Sequence, residues 1–134
     1  MGRIFRPSAE RHIFLGGATT NIAAGTTVLL GLGAVNATAS NIAGLIMPYS
    51  GVFTSLWVRT GAGGNIGSTT ETWICTLYLD NAATAMTFTM TGAVSTGNTE
   101  AFKIPFTKGQ YVYGHIVASA GTSSRTAVMA AGIA

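Results

Sequence analysis

Charge is what this sequence has least of. Its 134 residues carry seven Lys+Arg and four Asp+Glu, 8% in all, where an ordinary soluble domain has about 25%. With four acids and two histidines, acid–base catalysis and metal ligation have a thin supply of residues. The single cysteine, Cys75, excludes an internal disulfide framework. In place of charge the chain has small neutral side chains, 20 Ala, 20 Thr and 18 Gly. This composition argues against an enzyme and calls for no cofactor and no metal. It also lacks the mixed surface charge that keeps free monomers apart, so it reads as that of a subunit.

The length fits one domain with a core of its own. The net charge of +3 is unevenly placed. Arg3, Arg6, Glu10 and Arg11 crowd the start, and no charged residue follows from Ile13 to Val58. The stretch from Ile22 to Met47 is long enough to cross a bilayer. Gly25, Gly31, Gly33, Asn36, Ser40, Asn41 and Gly44 interrupt it, however, and its most apolar run, Val28 to Leu32, is short. No membrane partner is expected. Small residues Val35 and Ala37 have signal-peptidase spacing, behind a polar lead too long for a signal peptide.

Residues 1–19 read as an extended N-terminal arm, with Phe5 and Phe14 set among arginines, and residues 20–134 as one β domain. From Thr20 onward the dominant period is two, which sends alternate side chains to opposite faces of a strand. Met86, Phe88 and Met90 alternate with Thr87, Thr89 and Thr91, as in a half-buried strand with a threonine outer face. Trp73 to Leu79 is apolar on both faces, which suits a central strand. Asp80-Asn81 between these runs tolerates the left-handed backbone of a tight hairpin turn. Further strands are expected over Thr26–Leu32, Leu45–Met47, Val52–Thr60, Ala101–Phe106, Gln110–Ala118 and Arg125–Ile133, separated by turns rich in Gly, Asn, Ser and Pro. Such spacing predicts an all-β chain, a jelly-roll-like antiparallel β-sandwich of about eight strands.

Few residues are candidates for chemistry. Glu10, Glu71, Asp80 and Glu100 fall in an arm, a strand edge or turns, and His12 and His115 lie far apart in sequence. Cys75 sits on an apolar face and reads as a core residue. Gly61 to Ser68 is glycine-rich but has neither the lysine nor the following helix of a phosphate loop, and reads as a flexible loop. Asn36-Ala37-Thr38 matches a glycosylation acceptor by chance. The only basic cluster, Arg3, Arg6 and Arg11, suits acidic groups on a protein partner better than nucleic acid. Trp57 alternates in phase with Phe53 and is expected in the core. Tyr111, Tyr113 and His115 share one face of a late strand and, with Tyr49, form a candidate subunit or ligand surface.

The run Pro48-Tyr49-Ser50-Gly51 into Val52–Arg59, the hairpin pattern from Trp73 to Thr91 about Asp80-Asn81, and Ile104-Pro105-Phe106-Thr107-Lys108-Gly109-Gln110 carry a resemblance. In turns and alternation, residues 42–118 resemble the jelly-roll β-sandwich modules of bacteriophage virion proteins. Such modules often have an acidic residue after the late glycine, where this chain has Gln110. The resemblance implies a virion structural protein at the capsid surface: a decoration or cement subunit, homotrimeric, with the major capsid protein as partner. Arg3, Phe5, Arg6, Arg11 and Phe14 would then make capsid or subunit contacts. The alternative it implies is a tail-fibre or adhesin-like head recognising a surface glycan.

Overall fold

The alternating runs form strands in a computed structural model that describes residues 11–17, 21–31, 34–36 and 44–134. Along the chain these are β1 (Arg11–Gly17), β2 (Thr27–Gly31), β3 (Ala34–Asn36), β4 (Leu45–Ile46), β5 (Gly51–Thr60), β6 (Thr72–Leu79), β7 (Ala82–Thr91), β8 (Thr96–Thr99), β9 (Ile104–Phe106), β10 (Tyr111–Ala118) and β11 (Ala127–Ile133). A five-stranded sheet runs β1-β11-β5-β8, with β9 also on β5. A six-stranded sheet runs β3-β2-β10-β6-β7, with β4 also on β10. Every pairing is antiparallel.

The order of pairing is nested. β1 pairs with β11, β2 with β10, β5 with β8, and β6 with β7. An antiparallel ribbon folded in half and wrapped around a core produces this order, which is the winding of a jelly roll. The innermost hairpin turns at Asp80 and Asn81, with φ of +50° and +63° as the sequence leads one to expect.

Between the sheets lies the core. Trp73, Cys75 and Leu77 of β6, Met86 and Met90 of β7, and Val112, Ile116 and Ala118 of β10 form one wall. Phe53, Leu56 and Val58 of β5 with Met129, Ala131 and Ile133 of β11 form the other. The central strands meet most closely at Gly114, where an added Cβ would overlap the Met129 side chain. Thr87, Thr89 and Thr91 lie exposed on the outer side of β7, as their alternation predicts. The Thr76 and Thr87 hydroxyls are 2.9 Å apart, and Thr87 Oγ1 donates to the Cys75 carbonyl at 3.1 Å.

Three features depart from the sequence reading. Residues 11–17, assigned by composition to the arm, form β1, whose bulge lies between Phe14 and Gly16. β8 falls where a turn is expected, because Gly97 lets it pass close to β7: a Cβ there would lie 2.6 Å from Met90 Cγ and from Phe88 Cε2. Trp57 is outside the core and 43% exposed. The reason is a bulge in β5, where Ser55 pairs with Gly132 and Phe53 with Ile133, leaving Thr54 as the extra residue. An extra residue reverses the alternation, so Leu56, Val58 and Thr60 turn inward and Trp57 and Arg59 outward.

Trp73 is the largest fully buried side chain. Its truncation to Ala leaves a cavity the two sheets cannot fill, and is expected to cost about 3–5 kcal/mol. The check is the urea midpoint followed by circular dichroism.

Candidate functional site

The outer face of the six-stranded sheet holds most of the aromatic groups singled out from sequence. Residues 111, 113, 115 and 117 of β10 point outward because 112, 114, 116 and 118 fill the core. Register places Tyr113 opposite Tyr78 and His115 opposite Thr76. Tyr78 stacks on His115 at 4.5 Å between centroids and on Tyr113 at 5.2 Å, while Tyr111 meets Tyr113 edge-on at 5.7 Å. Tyr78 thus joins the expected group through the neighbouring strand. Burial lowers the His115 pKa, so it stays neutral at neutral pH. Burial, then neighbouring Tyr78 and Tyr111, raise the pKa of Tyr113. Tyr49 stands apart: it is in the turn before β5, 42% exposed, with its ring 6.4 Å from Phe106 of the other sheet.

Of the expected arm contacts, Arg3, Phe5 and Arg6 lie outside the described residues. Arg11 and Phe14 belong to the backbone of β1, in register with Ile133 and Ala130.

The outer face of the five-stranded sheet has a groove of about 330 Å³ lined by Trp57, Val58, Arg59, Thr96, Val128 and Ala130. It was hidden from sequence reasoning by the β5 bulge, since unbroken alternation puts Trp57 inside.

Three turns meet at one end of the sandwich, and Asp80 ties two of them together. Its carboxylate accepts from the Tyr111 amide at 3.0 Å and from Gln110 Nε2 at 2.9 Å, and its own amide donates to the Tyr111 carbonyl at 2.8 Å. Gln110 Oε1 in turn accepts from the Thr107 amide, and Ser50 Oγ from the Lys108 amide. These bonds organise turns and leave the carboxylate engaged.

The glycine-rich segment 61–68 is pinned through Ile66, which is fully buried, donates its amide to the Val94 carbonyl and accepts from the Ser123 amide. Arg125 Nε donates to the Asn65 carbonyl at 3.0 Å. Beside it Glu71 accepts from the Ser68 and Thr69 amides at 2.9 and 2.8 Å, bonds that hold its pKa down at about 2. Cys75 is fully buried, and burial pushes its thiol far above the ordinary range, away from the reactive thiolate. Among the described residues no three His, Cys, Asp or Glu converge as a metal site would require. No helix among them is long and apolar enough to cross a membrane. No protein-family model matches the chain, and no curated protein matches its sequence.

Two outcomes follow from these turns. Asp80→Ala removes both acceptor bonds and is expected to lower stability by about 1 kcal/mol and to speed hydrogen exchange at the Tyr111 amide. For Glu71 the folded pKa is depressed, so its bonds are fully formed above its ordinary value of 4.5 and are lost as pH falls through about 2. The Ser68 and Thr69 amide shifts should titrate in that acid range in NMR spectra. Glu71→Gln should abolish the titration.

Proposed function

We propose that this chain is a non-enzymatic virion structural protein, a decoration or cement subunit that binds the outer surface of a capsid as a homotrimer. What carries the reading is the poverty of charge on the outer sheet faces together with large apolar side chains left uncovered there. Ile46 is 65% exposed, Val128 44%, and Trp57 and Ile74 43% each. Faces of this kind bury against other protein surfaces without stranding charged groups in the contact. Binding is then the whole mechanism. The sandwich supplies rigid faces, and the basic segment with Arg3, Phe5 and Arg6 adds charged and apolar contacts to the major capsid protein.

A second reading, a receptor-binding head for a surface glycan, is favoured by the half-exposed aromatic group of Tyr78, Tyr111 and His115. The stacking among these rings counts against it, because it occupies faces that a sugar would need.

The test is cosedimentation with purified capsid shells lacking this chain, alongside a variant deleted for residues 1–10, which leaves β1 whole. Expected are a solution mass of three times 13.7 kDa, saturable shell binding by the full chain, and weakened binding but unchanged mass for the deletion. Glycan binding without shell binding moves the assignment to a receptor head. Failure to bind shells overturns the decoration reading.

A further inference from the structure

The bulge in β5 sets one large ring on the outer face of the five-stranded sheet. Trp57 is 43% exposed there, and among the described residues no other ring stacks on it. Register places Ala130 of β11 on one side of it and Asn98 of β8 on the other, and places Arg59 between Val128 and Thr96. Ala130 is too short to fill the space beside the indole, and the groove of about 330 Å³ opens there. Its lining divides by character. Trp57, Val128 and Ala130 are apolar, Arg59 and Thr96 bring hydrogen-bonding groups, and Asn98 adds an exposed amide on the same face.

We infer that this groove binds a neutral pyranose sugar, an activity separate from attachment to a shell. Size narrows the occupant first. From Trp57 to Arg59 along β5, and from β11 across to β8, the footprint is about 7 Å by 10 Å. That is the scale of a sugar ring, and the volume lies at the low end of small-ligand pockets, about 300–1,000 Å³. A stable protein contact is far larger, about 800 Å² on each partner. Chemistry then narrows the class. An indole face is the negative side of the ring quadrupole, and the C–H bonds on one face of a pyranose present weakly positive hydrogens to it, so the two stack with no charge on the ligand. The edge of the same sugar is a row of hydroxyls. The Arg59 guanidinium has five donors and no acceptor, so a ligand seated here has to bring oxygen acceptors to that side, and Thr96 and Asn98 both donate and accept. A flat aromatic ligand covers Trp57 equally well but leaves these polar groups desolvated and unpaired. The aromatic face of the other sheet lacks such an opening, because Tyr78, Tyr113 and His115 occupy one another's faces.

The experiment is an NMR titration of the nitrogen-15-labelled full chain with the methyl β-glycosides of glucose, galactose and N-acetylglucosamine. Sorbitol, a polyol with hydroxyls but no flat ring, is the control. Expected with at least one glycoside are saturable shifts of the Trp57 indole and of the Arg59, Thr96 and Val128 amides, with a dissociation constant of about 1 mM, and none with sorbitol. Trp57→Ala, at an exposed position, should raise that constant at least about tenfold. Tyr78→Ala, on the other sheet, should leave it unchanged, and melting curves confirm that both variants fold. No saturable shift with any glycoside, or equal shifts with sorbitol, overturns the inference. Shifts confined to Tyr78, Tyr111 and His115 also overturn it and move the sugar to the other sheet. Cosedimentation with capsid shells separates this inference from the decoration reading. A wild type that ignores the glycosides, beside a Trp57→Ala variant that loses shell binding, gives the groove to the shell contact and leaves that reading standing. A chain that binds a glycoside but no shells supports the inference while that reading fails.

Discussion

Both sheets close on strands from the end of the chain. β10 enters between β2 and β6, and β11 between β1 and β5, so neither sheet is continuous until the last two strands arrive. They then face each other across the core, where Gly114 makes room for Met129. This placement makes most of the stabilising pairings long in sequence, and loop-closure entropy must be met before those contacts repay it. The exceptions are β2–β3 and the β6–β7 hairpin, the latter joined by a two-residue turn. Asp80 ties that local unit to the start of β10, coupling the innermost pair of the winding to one of its late-arriving strands.

Much of this was legible in the sequence, for a physical reason. Where one face of a strand is buried and the other solvated, the period of two is written into residue type, as in Met86–Thr91 and Gln110–Ala118. The same logic gathers Tyr111, Tyr113 and His115 on one face. It failed where the backbone breaks the period. The bulge at Thr54 moved Trp57 from the expected core to the surface, and with it a groove that no residue pattern announces. It failed again at β8, whose sequence Thr-Gly-Asn-Thr has turn composition and becomes a strand because β5 offers it an edge and Gly97 lets it approach Met90 and Phe88. Tyr78 was missed as part of the aromatic group because cross-strand register is not visible in a single strand's alternation.

The shortage of charge shapes the fold as well as the surface. Threonine hydroxyls bond backbone carbonyls at several points: Thr84 bonds the Leu77 carbonyl where β7 bulges, Thr87 bonds the Cys75 carbonyl, and Thr60 bonds the Gly64 carbonyl. The carboxylates of Asp80 and Glu71 bind backbone amides in turns, so the described acids that are most engaged serve loop geometry. Such a molecule is ordered internally by neutral groups and has little charge left to keep copies apart.

On the proposed reading, this chain meets its partners through apolar contacts and not through ion pairs. The most direct test is the dissociation constant of the wild-type chain, measured by analytical ultracentrifugation from low salt to about 1 M, where screening reaches within about 3 Å. Apolar association should hold constant or tighten as salt rises. Dissociation at high salt would show that charged groups carry the contact and would overturn that reading.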